Sequence, residues 1–406
     1  MLERKRKLDC ANGREKADLV LKNGNVLNVF TEEVLKADVA ICGDTIVGVG
    51  EYEGKEEIDC TGKYLVPGFI DAHMHIESCM AAPGELAKVL AKAGTTTIIA
   101  DPHEIVNVSG TKGMDYFLKC AAKLLVNVFF MVPSAVPATD VETNGCGEFL
   151  ASDMMKYVDN ARVLGLGETM RFMECCEGEK RMADKLELFA KKHIDGHAPG
   201  IRGKEVQAYR LAGVENDHEC STAEEVLDKL RAGLHIYVRE GSGAKNLETL
   251  IKTMLDAGVC LDRCAFCTDD KHVEEIRKEG HISTCIRKAI ALGVPVAKAY
   301  KMGSYQAAEF YGLKNYGAIG AGYRADIVFL DDLEQVRPLD VMKDGRILTE
   351  EDYAKDYSVP VPDELLHTVH VGEVTKEKIR LSCDGKTDVI QMNPHQIVTT
   401  HLVEEV

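Results

Sequence analysis

The 406-residue chain is 45% hydrophobic and 28% charged, the composition of an ordinary globular protein with room for about two domains. A formal net charge of −17 argues against nucleic acid as a partner, because its phosphates would be repelled. No run approaches the roughly 18 apolar residues of a membrane span. The basic N-terminus, MLERKRKLDCANGREK, lacks the apolar core of a secretory signal, so a cytoplasmic protein is expected, its 14 cysteines reduced rather than paired.

In chain order, residues 18–62 alternate short β-like runs with turns: DLVLKNGNVLNV, ADVAICGDTIVGVG and EIDCTGKYL. The Asn-Gly and Gly-Asp pairs are hairpin signals. From about Leu65 to Leu313, strand and helix signals alternate. Apolar, β-rich runs end near Asp71, Ala100, Pro133, Glu168, His197, His218, Arg239 and Asp269. Helical stretches separate most of them. In KNLETLIKTMLDAG, for example, Leu247, Leu250, Ile251 and Met254 share one face. Eight such repeats over about 250 residues have the rhythm of a (β/α)8 TIM-type barrel. Beyond them, GYRADIVFLDDLEQVRPLDVMKDGRIL repeats the texture of the N-terminal part, ADIVFLDD echoing ADLVLKNG. The expected organisation is therefore α/β. A small β-sandwich is built from both flanks, 1–64 and 316–360, around a barrel over 65–315, with 361–406 following.

The first barrel strand carries VPGFIDAHMHIES. In an extended strand, alternate side chains share a face, so His73 and His75 point the same way, about 6.5–7 Å apart along the chain. Alone, that pair suits the wet face of an edge strand as well as a cation. The other strand ends change the balance. They carry His103 and Glu104 (ADPHE), Glu168 (GLGE), His197 (DGHAPG), His218 and Glu219 (NDHE), Arg239, Glu240 and Ser242 (VREGS), and Asp269 and Asp270 (CTDD). In a barrel all of these face one mouth. Carboxylates gathered there repel one another unless a cation or proton is shared. His73, His75, Glu168, His197, His218 and one of the final acids make six groups. That is too many for one tetrahedral zinc and suits two ions with a bridging carboxylate and a bridging water. Cys260, Cys264 and Cys267 have the C-x3-C-x2-C spacing of a radical iron–sulfur motif. Their segment reads instead as a buried strand running into two acids, with structural thiols.

The motifs PGFIDAHMHIES, ADPHEI, VPSAVPAT, GLGE, DGHAPG, AGVENDHE, REGSGAKNL, TDDKH, GHI and GAIGAGYRADIV occur here in order. Together they resemble the adenine deaminase family of the amidohydrolase superfamily, from about residue 17 to 345. Ala135 stands where that family's pattern expects Cys, and Arg171 where it expects Asn. The resemblance implies hydrolytic deamination of adenine to hypoxanthine and ammonia at two divalent ions, manganese or iron(II), with zinc a further candidate. It implies that His73 and His75 hold one ion, that His197 and His218 hold the other, and that Glu168 bridges. Asp269 would complete the first site, although Asp270 fits the motif as well. It also implies a homodimer and a further C-terminal domain, of which PHQIVTTHLVEEV resembles the opening strands.

Attack of water at C6 of the purine needs a proton carrier. Asp270 or Asp269 is the first candidate, with Glu240 and Glu219 second. Arg239, Ser242 and Glu104 are expected to read the edges of the base. Two rival readings are cyclic-amide hydrolysis and an inert relative that serves as a binding or assembly protein.

Overall fold

The computed structural model describes residues 2–142, 145–382 and 385–405, so Val406, the last residue of the C-terminal run, lies outside them. Ala17–Asn28 is the central strand of an eight-stranded mixed sheet. It pairs antiparallel with Glu33–Cys42, which returns through a tight turn as Thr45–Gly50. Gly43 in that turn has φ 60°, a conformation that costs glycine nothing. The central strand also runs parallel to Gly54–Asp59 and Tyr64–Pro67. Tyr64–Pro67 in turn meets the late strand Ile327–Leu330, with Val66 opposite Val328. Asp340–Lys343 and Arg346–Ile347 complete that edge. The echo of ADLVLKNG in ADIVFLDD is therefore two strands of one sheet, assembled from both flanks. Leu21, Val26, Val39, Ile41, Leu65, Ile327 and Phe329 form one of its cores. A helix the sequence pattern did not announce, Leu2–Ala11, packs beside this sheet and buries Cys10.

Between the flanks, parallel strands curl in sequence order. Phe69–Met74, Thr95–Ala100, Asn127–Val132, Val163–Leu166 and His193–Ile194 form one ladder. Asn216–Asp217, His235–Arg239 and Cys264–Cys267 form a second. The two join at both seams. Glu215 donates its amide to the Ile194 carbonyl at 3.0 Å, and Asp269 donates to the His73 carbonyl at 3.0 Å. The fold is a TIM-type barrel. Ile70, Ala72, Ile99, Phe129, Met131, Tyr237, Ala265 and Cys267 make one of its apolar clusters, together with Tyr311. Outside it, Leu247–Asp256 packs with Leu247, Leu250, Ile251 and Met254 fully buried, as its spacing predicted.

Cys264 and Cys267 lie buried in the eighth strand and belong to different apolar clusters, while Cys260 is exposed before it. Three residues so disposed do not close on one cluster, and the 13 described cysteines are free. No helix among the described residues is long and apolar enough to cross a membrane. After the barrel, Lys386–Met392 and Thr399–Glu405 form an antiparallel hairpin of their own, with Ile390 and Met392 exposed.

Candidate metal centre

The first barrel strand ends at Met74, and the register with its neighbour shifts between Asp71 and Met74. Over this stretch the two imidazoles approach each other, with His73 Nε2 and His75 Nε2 3.2 Å apart. His75 Nδ1 lies 2.8 Å from the Asp101 carbonyl. A proton on Nδ1 is thereby held, and Nε2 is left with its lone pair facing inward.

Glu168 follows the fourth strand. Its amide donates to Asp101 Oδ2 at 2.8 Å, and its carbonyl accepts from the Ser134 hydroxyl of VPSAVPAT. Held by its backbone, Glu168 sends its two oxygens different ways. Oε1 lies 2.9 Å from His75 Nε2 and 3.4 Å from His73 Nε2; Oε2 lies 2.5 Å from His197 Nδ1 and 3.5 Å from His218 Nε2. The His73 and His218 rings stack with centroids 4.0 Å apart, bringing the two histidine pairs together.

His197 is placed by its neighbours. Its amide donates to the Tyr209 hydroxyl at 3.0 Å, and the Ala198 amide donates to Asp217 Oδ2 at 2.9 Å. Lys229, fully buried, spans Asp217 at 3.1 Å and the Ala198 carbonyl at 2.7 Å, locking the His197 and His218 loops together. Asp269 sits at the end of the eighth strand with φ 57°, a left-handed conformation that Asp tolerates better than most residues. Its Oδ1 is 3.1 Å from His75 Nε2 and 3.6 Å from His73 Nε2, and its Oδ2 accepts from Arg239 at 2.8 Å.

Burial alone would raise the carboxylate pKa values here, yet the surrounding cations win. Asp269 is held well below the usual range by the His73 and His75 rings beside it and by the charges of His218 and Arg239. Glu168 is also held well below its ordinary value, by His75, His197 and His103. Glu219 is brought down to about 2, chiefly by His218, His197 and Arg239. Conversely, burial would lower the histidines, but Glu104, Glu168 and Asp269 push His75 well above its ordinary value, and Glu168 and Glu219 do the same for His218. Such a set exchanges protons for cations on metal binding. Both ring nitrogens of His218, His73 Nδ1, Glu168 Oε1 and Glu219 Oε2 are buried without a hydrogen-bond partner. Orphaned polar atoms are rare in folded proteins, and imidazole with carboxylate suits zinc, iron or manganese. The residues fit a metal centre.

Not every residue expected at the mouth turns toward it. Arg239 is completely buried, with Nη1 donating to Glu219 and Asp269, and Nε and Nη2 to Asn246 Oδ1 at 3.3 and 3.0 Å. It braces carboxylates and is not a free donor for a base edge. The Ser242 hydroxyl accepts from the His272 amide at 2.9 Å, and its amide donates to the Asp270 carbonyl, so it stitches loops. Glu240 pairs with Lys288 at 2.5 Å instead of joining the cluster. Arg171 pairs with Glu174 and Asp140. Glu219 does join, 3.4 Å from His218 Nε2 and 3.6 Å from His197 Nδ1. Glu104 stands half-buried, 3.4 Å from His75 Nδ1, and Asp270 is exposed just past Asp269. His103, outside the six expected ligands, has Nδ1 3.3 Å from Glu168 Oε1. Its place in ADPHE, the first residue of helix His103–Ser109 after a strand end, was the available signal.

The sequence pattern of the amidohydrolase family matches residues 64–348. An adenine deaminase of Desulfitobacterium hafniense (strain Y51) is 46% identical over 391 residues, covering 96% of this chain and 68% of the relative. The chain belongs to the adenine deaminase branch of the amidohydrolase family. An adenine deaminase of Clostridium acetobutylicum is 45% identical, covering 94% of this chain and 67% of that one. Among solved structures, a β-aspartyl dipeptidase of Fervidobacterium islandicum AW-1 superposes with TM-score 0.60 at 20% identity, covering 83% of this chain and 98% of its own. An atrazine chlorohydrolase of Arthrobacter aurescens TC1, complexed with zinc, gives 0.61 at 16% identity, covering 82% and 96%. At that distance the likeness is one of fold alone.

Proposed function

We propose that this protein hydrolyses adenine to hypoxanthine and ammonia at a centre of two divalent ions. The observation that carries this is Glu168, one oxygen toward His73 and His75 and the other toward His197 and His218. His73, His75 and Asp269 would hold one ion, His197 and His218 the second, and Glu168 both; manganese or iron(II) is the expected metal, with zinc a further candidate. When bound, the ions supply the Lewis acidity that brings the pKa of a water toward neutrality.

The protein's own groups then handle protons and shape. C6 gains the oxygen of water, and the bond to the exocyclic nitrogen breaks as that nitrogen leaves as ammonia. Asp270, whose carboxyl is raised by the low-dielectric protein around the mouth and by the charge of Asp269 beside it, is the first candidate to move the proton from water to ring nitrogen and amine. Asp269 is the alternative, with Glu219 behind it; the Lys288 pairing leaves Glu240 a weaker case. Glu104, at the rim, would accept from an N–H of the base. Arg239 is engaged with Glu219, Asp269 and Asn246, so it offers nothing to a phosphate. The free base, not a nucleotide, is accordingly the expected substrate.

The same reading carries a cytoplasmic homodimer. It divides the chain into a β-sandwich from 1–64 and 316–360, a barrel over 65–315, and the opening of a further domain over 361–406. Metal analysis together with ammonia release from a purine panel tests the proposal. Two equivalents of metal and faster turnover of adenine than of adenosine or AMP are expected. Full activity with one ion, preference for AMP, or a new carboxylate without ammonia would each overturn it.

A further inference from the structure

The Arg239 guanidinium that holds Asp269 and Glu219 is itself held from far along the chain. Asn246 is completely buried. Its Oδ1 accepts from Arg239 Nε and Nη2, and its Nδ2 donates to Gln396 Oε1 at 3.1 Å. The two contacts fix the carboxamide's orientation, because exchanging its oxygen and nitrogen would set donor against donor and acceptor against acceptor. One residue earlier, the Lys245 amide donates to the His395 carbonyl at 3.1 Å.

The partner turn is built to stay in place. His395 takes φ 60°, and the Gln396 amide donates to the Asn393 carbonyl at 3.2 Å. Asn393 Nδ2 reaches across to the Val398 carbonyl at 3.0 Å and to Thr400 Oγ1 at 3.1 Å. On the other side, the loop after the seventh strand is joined to the end of the eighth. Ser242 donates its amide to the Asp270 carbonyl at 2.7 Å, and Asn246 donates to the Arg239 carbonyl at 3.1 Å.

We propose that Gln396, at the tip of the C-terminal hairpin, is a positioning residue for the metal centre, acting through Asn246 and Arg239 on Asp269 and Glu219. The inference rests on Asp269 being a metal ligand. Without the Gln396 acceptor, the Asn246 carboxamide is free to turn, Arg239 loses a fixed acceptor, and the Asp269 carboxylate is no longer held in one place. Partners just outside a ligand commonly change metal affinity by roughly 10–100-fold, and Gln396 stands two contacts further out.

The test is Mn²⁺ binding to the metal-free full chain, followed by electron paramagnetic resonance, with adenine turnover as a second measurement. Gln396→Met keeps length and removes the acceptor; it should weaken one of the two Mn²⁺ sites by about 3- to 10-fold, and lower kcat with KM little changed. Gln396→Glu keeps an acceptor oxygen and should restore both. Asn246→Ala should weaken the same site by roughly 10–100-fold. Gln396 is only partly buried, so its variants should fold, with an unchanged thermal midpoint as the check. Wild-type affinity in Gln396→Met overturns the relay, as does a Gln396→Glu variant no better than Gln396→Met. A wild-type chain that binds fewer than two Mn²⁺ would instead overturn the metal-centre reading itself.

Discussion

The Asp269–Asp270 pair offers the sharpest test, because a metal ligand and a proton carrier fail alike in a simple activity assay. Asp269→Asn keeps the volume and tolerates φ 57°, so its effect is chemical. It replaces the oxygen 3.1 Å from His75 Nε2 with a weaker neutral donor, and it removes the charge 2.8 Å from buried Arg239. Breaking a buried pair costs roughly 3–5 kcal/mol; Glu219 still faces Arg239, so the lower end, about 3 kcal/mol, is expected in urea unfolding of the metal-free protein. About one equivalent of metal should be lost with it. Asp270→Asn alters an exposed carboxylate. It should keep both metals and its stability, while adenine turnover falls by roughly 10²–10⁴-fold. Metal content, unfolding midpoint and ammonia release on both variants assign the roles. Loss of metal in Asp270→Asn with retention in Asp269→Asn would invert the assignment. Full metal and full activity in both would refute the reading of the eighth strand altogether.

Two other substitutions probe how the loops are set. Glu225 accepts from the amides of Gly200, Ser221 and Thr222 at 2.5, 3.1 and 2.8 Å, tying the loop after His197 to the one after His218. Burial would raise its carboxyl, but the Thr222 hydroxyl, which donates to it at 2.8 Å, these amides and Lys229 bring it below its ordinary value. Its stabilisation is therefore present above about pH 4.3, the unfolded value, and lost as pH falls through the lower folded one. Glu225→Gln in the metal-free protein should cost about 1–3 kcal/mol at pH 7 and progressively less below pH about 4; an equal gap at both pH values would remove the carboxylate from the account. Gly196 has no room for a side chain, since a Cβ there would lie 2.1 Å from the Asn216 backbone oxygen. Gly196→Ala should displace His197, lower stability by about 1–3 kcal/mol and weaken metal uptake, while Gly243→Ala, in open space, should do neither; equal behaviour of the two would contradict the packing argument.

The sequence by itself determined the repeat, the strand ends and which histidines and carboxylates gather at one mouth. Apolar periodicity records which face of a segment is buried, so Leu247, Leu250, Ile251 and Met254 were legible without knowing what they pack against. Strand order then placed His73, His75, Glu168, His197, His218 and the final acids at one mouth, because a barrel sends all its strand ends the same way. Only the tertiary structure decided what each polar side chain does there. Ser242, Glu240 and Arg239 stand at strand ends and in the loop that follows, where sequence places binding groups, yet each is committed to a neighbour on another segment: His272, Lys288, and the trio Glu219, Asp269 and Asn246. His103 gained its place beside Glu168 from the packing of two separate strand ends. Gln396 and Asn246 meet across 150 residues of sequence, a separation over which no local pattern extends. Local sequence fixes which side of an element faces inward; which partner a polar group finds there follows from how distant elements are brought together.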